Sequence, residues 1–378
     1  MNIKLPSKRD EKWRHSDLRL LDISTNQVTQ KIEKDTSYYH DKSFYCIVIV
    51  NGHFLQKQSF LPEEGIEISC INSSIDNYDK ELKFEKKYQV LQNLEMTHGM
   101  ITINVTQVID KPIKLVKLTS LNSVFFTTFI QVKKKCHVIL YEDFIKSQDD
   151  QASINNVTRI KLDDDASCKH IIQKTFKREV SFINTLEIVC KSYALYDNYA
   201  VSTTDKSYRF ESEAHLDAKG ARVNFYGVSI GNNNQLYDVV IEIKHNASNT
   251  FSNQHYNQVL NNNSSGSFYS NVHISKCLRA VEAHQLNKNL LIDNRSVAYS
   301  TPMLSIDSDD VICSHGSTTG NIDKESLNYL VSRGIKYEYA KELIILGLLR
   351  SVFIDSGLDD LEIENIYLQI ASRVFCDE

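Results

Sequence analysis

The sequence predicts a mainly β protein that ends in a small helical module. Between about 98 and 312, apolar and polar residues alternate in short runs, and no amphipathic helix of twelve residues stands out there. After Gly320 the apolar period becomes helical. More than roughly 200 residues of short strands fit a sandwich, a barrel or a parallel β-helix. Because no clean fixed-length repeat is visible, periodicity leaves these three architectures open.

The N-terminal region mixes helical and hairpin signals. A helix is predicted over 11–21, and it carries the only tryptophan, Trp13. The apolar run at 44–50 is followed by Asn51-Gly52, the strongest short turn signal, which predicts a hairpin. A second helix is predicted over 80–94, where Leu82, Val90, Leu91 and Leu94 are available for burial.

The C-terminal region predicts three helices. Asp323 is a good cap for the first, and Gly334 stands where a terminating glycine belongs. The residues expected to be buried in this first helix are Leu327, Leu330 and Val331. The apolar stripe expected in the second helix is Ala340, Leu343, Ile344, Gly347 and Leu348. The third is marked by Ile366, Ile370 and Val374.

Composition excludes several classes of protein. The 378 residues are 42% hydrophobic and 24% charged, with a net charge of −5, which is typical of a folded chain. We expect a cytoplasmic protein with no membrane contact, because no apolar run is near the roughly 20 residues of a membrane span and no signal peptide is visible. The slightly acidic charge argues against nucleic-acid binding. Only 12 glycines occur, so asparagine is expected to supply many turns.

Two glycine-containing motifs suggest chemistry that their context does not support. Residues 227–231, Gly-Val-Ser-Ile-Gly, match the nucleophile elbow of hydrolases, but that motif needs a sharp turn and then a helix, whereas strand-like sequence follows here. Residues 316–320, Gly-Ser-Thr-Thr-Gly, lack the lysine of a phosphate-binding loop. We interpret them as a turn that leads into the first C-terminal helix.

Cys313-Ser314-His315 is the most informative local feature. In an extended strand, residues i and i+2 project from the same face, so this thiol and imidazole could bind one metal ion or one edge of an iron–sulfur cluster. A partner would have to provide the remaining ligands. The eight cysteines contain no C-x-x-C pair, which argues against zinc ribbons and ferredoxin-type clusters. The histidines interpreted as structural residues or surface groups are His215, His245, His255, His273 and His284.

Two segments identify a family resemblance. Residues 309–320, Asp-Asp-Val-Ile-Cys-Ser-His-Gly-Ser-Thr-Thr-Gly, resemble the signature of the SufD branch of the SufB/SufD family, subunits of the Suf iron–sulfur cluster assembly scaffold. The segment 322–340 is similar to that family's L-x-Y-L-x-S-R-G-I helix pair, with Asn328 where phenylalanine is usual. The Cys-Ser-His-Gly sequence favours SufD over SufB, which usually has His-Glu-Ala-Thr there. Ser305 departs from the glutamate that is usual at that position.

Weaker similarity extends upstream. Residues 245–291 resemble the family's β-core motifs, and 11–18 resemble its N-terminal motif E-x-W-[KR]-[YH]-[ST]-x-L. The resemblance implies a right-handed parallel β-helix core with an N-terminal α/β region and a C-terminal helical module. We therefore expect a mixed helical and hairpin region at 1–96, the β-helix at 97–316 and a helical module that docks an ATPase at 317–378.

The resemblance also implies partners and a site. In the family, the β-helix pairs with that of SufB and the C-terminal helices dock the ATPase SufC. The chain would then be a non-catalytic subunit that binds no nucleotide itself, and without SufB it could form a homodimer. Cys313 and His315 would lie at the SufB interface, where transient iron or a nascent cluster forms, with His315 the stronger candidate ligand. The implied ATPase-docking residues are Asp323, Leu327, Tyr329, Leu330, Arg333, Gly334, Ala340, Leu343 and Leu348.

Three alternatives stay open at this point. The chain could be a SufB-like scaffold that accepts sulfur, which strong self-association with a cluster would favour. It could be a β-helix carbohydrate-active protein such as a polysaccharide lyase, which would use clustered carboxylates on one face. It could also be an interaction scaffold that holds no cluster, with Cys313 and His315 merely structural.

Overall fold

The computed structural model describes residues 5–21, 41–71, 84, 86–97, 99–146, 152–175, 180–203, 206–354 and 356–374. Within these ranges nineteen strands, β1 to β19, are Tyr45–Val50, His53–Phe54, Ile66–Ile71, Met100–Val105, Ile113–Thr119, Ser123–Val132, His137–Lys146, Ala152–Leu162, Ser167–Thr175, Val180–Cys190, Leu195–Ser202, Ser207–Leu216, Arg222–Gly231, Leu236–His245, Phe251–Leu260, Ser265–Ile274, Arg279–Leu291, Val297–Ile306 and Asp310–Asn321. Four α-helices, α1 to α4, are Tyr88–Met96, Lys324–Ser332, Tyr337–Arg350 and Asp360–Val374.

The strands form two sheets, and along most of the chain successive strands belong to one sheet and the other in turn. One has the order β19-β17-β15-β13-β11-β9-β7-β5-β1-β2, and the other has the order β18-β16-β14-β12-β10-β8-β6-β4-β3. We call them the odd sheet and the even sheet. From β4 onward each strand pairs in parallel with the strand two positions later. This is a parallel β-solenoid of about seven turns, which confirms the predicted β-helix and excludes the sandwich and the barrel.

Like side chains stack along the solenoid because neighbouring turns are in parallel register. Phe182, Tyr208 and Tyr237, in register on β10, β12 and β14, form one such series inside the core, with successive ring centroids 5.6 and 6.5 Å apart. Each ring buries a large apolar surface and fixes the register of its strand. Asparagine supplies many turns, as predicted. The asparagines with positive φ are Asn51, Asn233, Asn234, Asn249, Asn262 and Asn263.

The N-terminal region confirms the hairpin but not the first helix. β1 and β2 pair in antiparallel fashion around Asn51 and Gly52, whose φ angles are 50° and 84°. The predicted helix over 11–21 is wrong: two 3-10 turns, Glu11–Trp13 and Leu18–Leu21, occur there instead. The carbonyl of Lys12 accepts a hydrogen bond from Arg209 on the even sheet, so this backbone bonds to the sheet and does not continue a helix.

The second N-terminal helix is confirmed as α1, in part. Val90, Leu91 and Leu94 are buried, as expected. Leu82 and the start of the predicted segment lie outside the described residues.

The three predicted C-terminal helices are present as α2, α3 and α4. The carboxylate of Asp323 accepts hydrogen bonds from the backbone N–H groups of Glu325 and Ser326, and Gly334 has φ +86° at the end of α2. The module packs on the outer face of the odd sheet, where Tyr199 donates a hydrogen bond to the carbonyl of Ser356 at 2.6 Å. The helices are therefore anchored to the side of the solenoid.

The buried faces of α2 and α3 differ from the predicted ones. In α2 only Leu327 is buried, whereas Leu330 is half-buried and Val331 is exposed. In α3 the buried residues are Ala340, Ile345, Leu346 and Leu349. Periodicity did not select this face because α3 is apolar on most of its surface. Of the predicted stripe, Leu343, Ile344 and Leu348 are half-buried and Gly347 is exposed.

Gly227 is required by the packing of Tyr256. A Cβ at position 227 would lie 2.0 Å from the Tyr256 ring, which fills the solenoid interior. Gly227→Ala should therefore lower the free energy of unfolding by about 1–3 kcal/mol. Gly320→Ala is the matched control, because nothing lies within 4 Å of its added methyl group. Urea unfolding of both variants tests this, and equal stability would contradict it.

Candidate functional site at the last turn of the solenoid

The two ends of the solenoid are built differently. At the N-terminal end, the short antiparallel strands β2 and β3 complete the two sheets. At the other end, β18 and β19 are the last strands, and each has a neighbour on only one side among the described strands. Their outer edges therefore present backbone groups that another strand could pair with. We call the surface formed by β18 and β19 the terminal rim.

Cys313 and His315 lie on the terminal rim, on the same face of β19. Cys313 is in register with Ala283 and His315 with Gln285, so both side chains belong to the inward-facing row of the last turn. Cys313 is half-buried against the core, and this burial raises the pKa of its thiol. His315 is exposed. The predicted pairing of the two residues on one strand face is what the structure shows.

The Gly-Ser-Thr-Thr-Gly segment belongs to the same strand. Residues 316–320 continue β19 up to Asn321, so the predicted turn before the helix is wrong. The whole stretch from Asp310 to Asn321 pairs with β17. Pairing along the full strand holds Cys313 and His315 in a fixed register beside β17.

Residues 227–231 are likewise strand and not an elbow. Gly227 to Gly231 form the end of β13, which pairs on both sides with β11 and β15. The side chain of Ser229 is buried. A nucleophile elbow exposes its serine on a sharp turn, so this motif carries no hydrolase site.

A buried polar layer supports the rim from inside. The amide nitrogen of Gln285 donates to Ser270 Oγ at 2.9 Å and to the carbonyl of Met303 at 3.2 Å. Ser270 in turn donates to Gln254 Oε1 at 2.6 Å. This layer was not predicted from the sequence, since glutamine in a strand gives no pattern that separates an inward position from an outward one.

The opposite face of β19 carries a second set of polar contacts. His284 Nδ1 lies 2.7 Å from Ser314 Oγ, and His284 Nε2 lies 2.8 Å from Glu282 Oε1. The contact with Ser314 joins β17 to β19 on the side away from Cys313, whereas Glu282 lies on β17 itself. Ser305, on the neighbouring strand β18, donates to Asn271 Oδ1 at 3.1 Å.

The rim offers two donors for a metal, not a complete site. Within the described part of the chain, no group of three or more His, Cys, Asp or Glu side chains is arranged to hold a metal ion. A thiolate and an imidazole on one strand face can bind iron as a half-site. Further ligands would have to come from a molecule that covers the rim.

Several histidines interpreted as structural have internal partners. His245 is buried between Thr250 Oγ1 at 2.7 Å and Ser252 Oγ at 2.9 Å, and burial lowers its pKa to about 4. His215 Nε2 lies 2.8 Å from Glu213 Oε1. These contacts give both imidazole rings polar partners within the protein, so neither histidine requires a ligand.

The residues implied in ATPase docking fall into three groups. Leu327 and Ala340 are buried and hold α2 and α3 in place. Tyr329 is 59% exposed, and the Arg333 guanidinium lies 5.2 Å from its ring centroid. Two further tyrosines that were not predicted, Tyr337 and Tyr339, are more than half exposed on α3. The remaining predicted members, Asp323, Leu330, Gly334, Leu343 and Leu348, cap, end or partly pack the helices.

Buried charges elsewhere were also missed. Lys117, Glu142 and His170 form a fully buried cluster inside the solenoid. Arg209 is buried on the outer face of the even sheet under Trp13, with its guanidinium 3.7 Å from the ring centroid. The sequence gives no signal for either cluster, because its charged residues look like solvated strand positions.

No described helix combines the length and the apolar character needed to cross a membrane.

Two similar proteins align over nearly the whole chain. An iron–sulfur cluster assembly SufBD family protein of Synechocystis sp. is 22% identical over 403 residues, covering 99% of this chain and 88% of the relative. The iron–sulfur cluster assembly protein SufD of Escherichia coli K12 is 22% identical over 382 residues, covering 98% and 88%.

A third relative matches a shorter segment with a higher identity. The iron–sulfur cluster assembly protein SufD of Bacillus subtilis is 35% identical over 92 residues, covering 24% of this chain and 20% of the relative. The profile of the family described as SUF system FeS cluster assembly, SufBD core domain, matches residues 116–348, which is more than half of the chain. Together with the solenoid and its open rim, this match shows that the chain belongs to the SufBD family of iron–sulfur cluster assembly proteins.

Proposed function

We propose that this chain is a SufD-like, non-catalytic subunit of an iron–sulfur cluster assembly scaffold. In this proposal, its terminal rim pairs with a SufB-like solenoid, its helical module docks a SufC-like ATPase, and Cys313 and His315 help iron to enter where the cluster forms. The observation that carries the proposal is the open edge of β18 and β19 with a thiol and an imidazole on one face of β19. The proposed compartment is the cytoplasm, where thiols stay reduced.

The rim favours a strand-bearing partner. Two parallel sheets end there together, so a second solenoid could extend both sheets by backbone hydrogen bonds. Leu304, Val311 and Cys313 are half-buried and pack against the end of the core, so a partner would complete their burial. This combination supports a heterodimer through β18 and β19 and needs no catalytic cleft.

Iron is the substrate of the assembly in this proposal, and His315 and Cys313 are its donors on this chain. Neutral imidazole binds iron well, and a thiolate binds both iron and cluster edges. Because burial raises the pKa of the Cys313 thiol, this donor has to lose a proton before it can bind iron. The proposed order is therefore that His315 takes iron and Cys313 follows when a metal displaces its proton.

The helical module supplies the proposed ATPase contact. Tyr329, Tyr337 and Tyr339 expose aromatic surface on α2 and α3, and aromatic side chains are enriched at protein interfaces. α3 and α4 also pack against the odd sheet, so a displacement of the helices would be transmitted to the solenoid. We propose that nucleotide closes two ATPase subunits, moves the helical modules and opens the rim interface to iron and sulfur.

Co-expression tests the proposal. The tagged chain is produced with the SufB-like and SufC-like proteins of the same organism, and native mass spectrometry measures the assembly. The expected mass is that of one SufB-like chain, two SufC-like chains and one copy of this chain. A Tyr329→Ala, Tyr337→Ala double variant should lose one ATPase subunit but keep the SufB-like chain. Recovery of the chain alone, as monomer or homodimer, would overturn the proposal.

Replacing His315 should remove iron from the assembled scaffold without breaking it. Loss of a supporting residue alone typically costs about 10–100-fold in metal affinity, so His315→Ala should weaken Fe²⁺ binding by at least about tenfold. His273→Ala is the matched control, since this histidine lies on β16 away from Cys313. Iron content is measured anaerobically on assemblies of verified mass. Equal iron in the His315→Ala and wild-type assemblies would rule out this site.

A further inference from the structure

Gln285 has a buried amide oxygen that points to an interaction not yet made. The residue is 3% exposed, and its Oε1 has no hydrogen-bond partner among the described residues. A buried acceptor without a partner costs roughly 1–3 kcal/mol, so such atoms in a native protein need an explanation. Gln285 is also the residue in register with His315 on the neighbouring strand.

The hydrogen-bond partners of the Gln285 side chain determine which of its two terminal atoms is the oxygen and which is the nitrogen. The nitrogen of Gln285 faces the carbonyl of Met303 at 3.2 Å, and a carbonyl can only accept. It also donates to Ser270 Oγ at 2.9 Å, while the hydroxyl of Ser270 donates onward to Gln254 Oε1. A flipped amide would set two acceptors against each other at Met303. The free group of Gln285 is therefore an oxygen that can only accept.

The neighbour in register can satisfy this acceptor. Side chains of adjacent strands on one face lie about 4.8 Å apart along the sheet, within reach of a glutamine amide and an imidazole. We propose that Gln285 is a positioning residue: when the exposed ring of His315 turns toward it, its Oε1 accepts a hydrogen bond from one ring N–H, so that the other ring nitrogen is presented to iron. Histidines that bind metals commonly donate their second N–H to such an acceptor. This inference rests on the proposed function.

The matched control is a second buried glutamine with the same unpaired oxygen. Gln258 is fully buried in β15, and its Oε1 likewise lacks a partner among the described residues, but it is in register with Asn289 and not with His315. Gln285→Met and Gln258→Met remove the same amide from the same interior. Only the first should affect His315.

Two readouts test the inference. The first uses the full chain labelled with [15N]histidine at pH 8.5, with the ring signals of His315 identified by their loss in His315→Asn. The wild type and Gln258→Met should show one dominant tautomer of His315, and Gln285→Met should show both. The second is Fe²⁺ affinity of the assembled scaffold under anaerobic conditions. Gln285→Met should weaken it by about 10–100-fold relative to Gln258→Met.

The outcomes separate this inference from the proposed function. A tautomer ratio that is the same in Gln285→Met and the wild type would overturn the hydrogen bond. A changed ratio with unchanged Fe²⁺ affinity would overturn its role in presenting iron. If the wild-type assembly holds no iron that depends on His315, the proposed iron site fails, while the tautomer ratio of the free chain still decides whether Gln285 orients the ring.

Discussion

Replacing Lys117 with methionine should lower the free energy of unfolding by about 3–5 kcal/mol, because it leaves a buried carboxylate without its cation. Lys117 lies inside the solenoid, pairs with Glu142 and is 2.6 Å from Asn156 Oδ1. His170 Nε2 contacts the other carboxylate oxygen of Glu142 at 3.0 Å. Lys288→Met, on the outer side of β17, is the control and should change stability by less than about 0.5 kcal/mol.

The same cluster predicts a dependence on pH. Burial by itself would raise the pKa of Glu142, but Lys117 and His170 outweigh it and hold that pKa well below its ordinary value. The contribution of ionised Glu142 to the free energy of unfolding is therefore fully present above the ordinary carboxyl pKa of about 4.3. This contribution is lost as pH falls through the lowered pKa. The stability difference between the wild type and Lys117→Met should narrow below about pH 4.

Urea unfolding at pH 7 and at pH 3 measures both effects. The double variant Lys117→Met, Glu142→Leu should recover much of the loss, since it removes both charges together. If Lys117→Met unfolds within about 0.5 kcal/mol of the wild type at pH 7, the account of this cluster is wrong.

Replacing Arg209 should have an effect of similar size and should also release the N-terminal segment. Arg209 donates to Glu211 Oε2 at 2.7 Å and to Asp238, and it binds Ser16 Oγ at 2.8 Å. The ring of Trp13 covers its guanidinium. Arg209→Met would leave two buried carboxylates without this cation and should cost about 3–5 kcal/mol.

The single tryptophan makes this second prediction easy to follow. Because Trp13 is the only tryptophan and is 6% exposed, its emission reports whether the segment stays on the even sheet. Arg209→Met should shift the emission to longer wavelength before global unfolding, whereas Arg222→Met, at the exposed start of β13, should not. Unchanged emission and stability in Arg209→Met would contradict the account.

The sequence predicted the parts of the fold that depend on local pattern. Alternating runs predicted the strands, Asn51-Gly52 predicted the hairpin, and Asp323 and Gly334 predicted the limits of α2. Periodicity could not distinguish the solenoid from a sandwich or a barrel. In the solenoid each strand pairs with the strand two positions later, and this pairing does not change the alternation of residues within a strand. That choice came from the resemblance to SufD and is confirmed by the sheet order.

What the sequence missed depends on contacts between distant segments. The helix expected over 11–21 fails because Lys12 and Ser16 bond to Arg209, nearly 200 residues further along the chain. The buried face of α3 is set by the odd sheet and not by its own period. For the site, Cys313 and His315 were found from their spacing, whereas Gln285 became visible only when the register placed it beside His315.

The proposed function requires that the terminal rim pairs with a second solenoid. Amide hydrogen exchange tests it most directly, on this chain alone and in the assembly with its SufB-like and SufC-like partners. The account predicts strong additional protection of Val297–Ile306 and Asp310–Asn321 in the assembly, because their outer edges gain hydrogen bonds. β3, at the other end of the solenoid, should be unaffected. Unchanged exchange in β18 and β19, or protection confined to other strands, would contradict the claim.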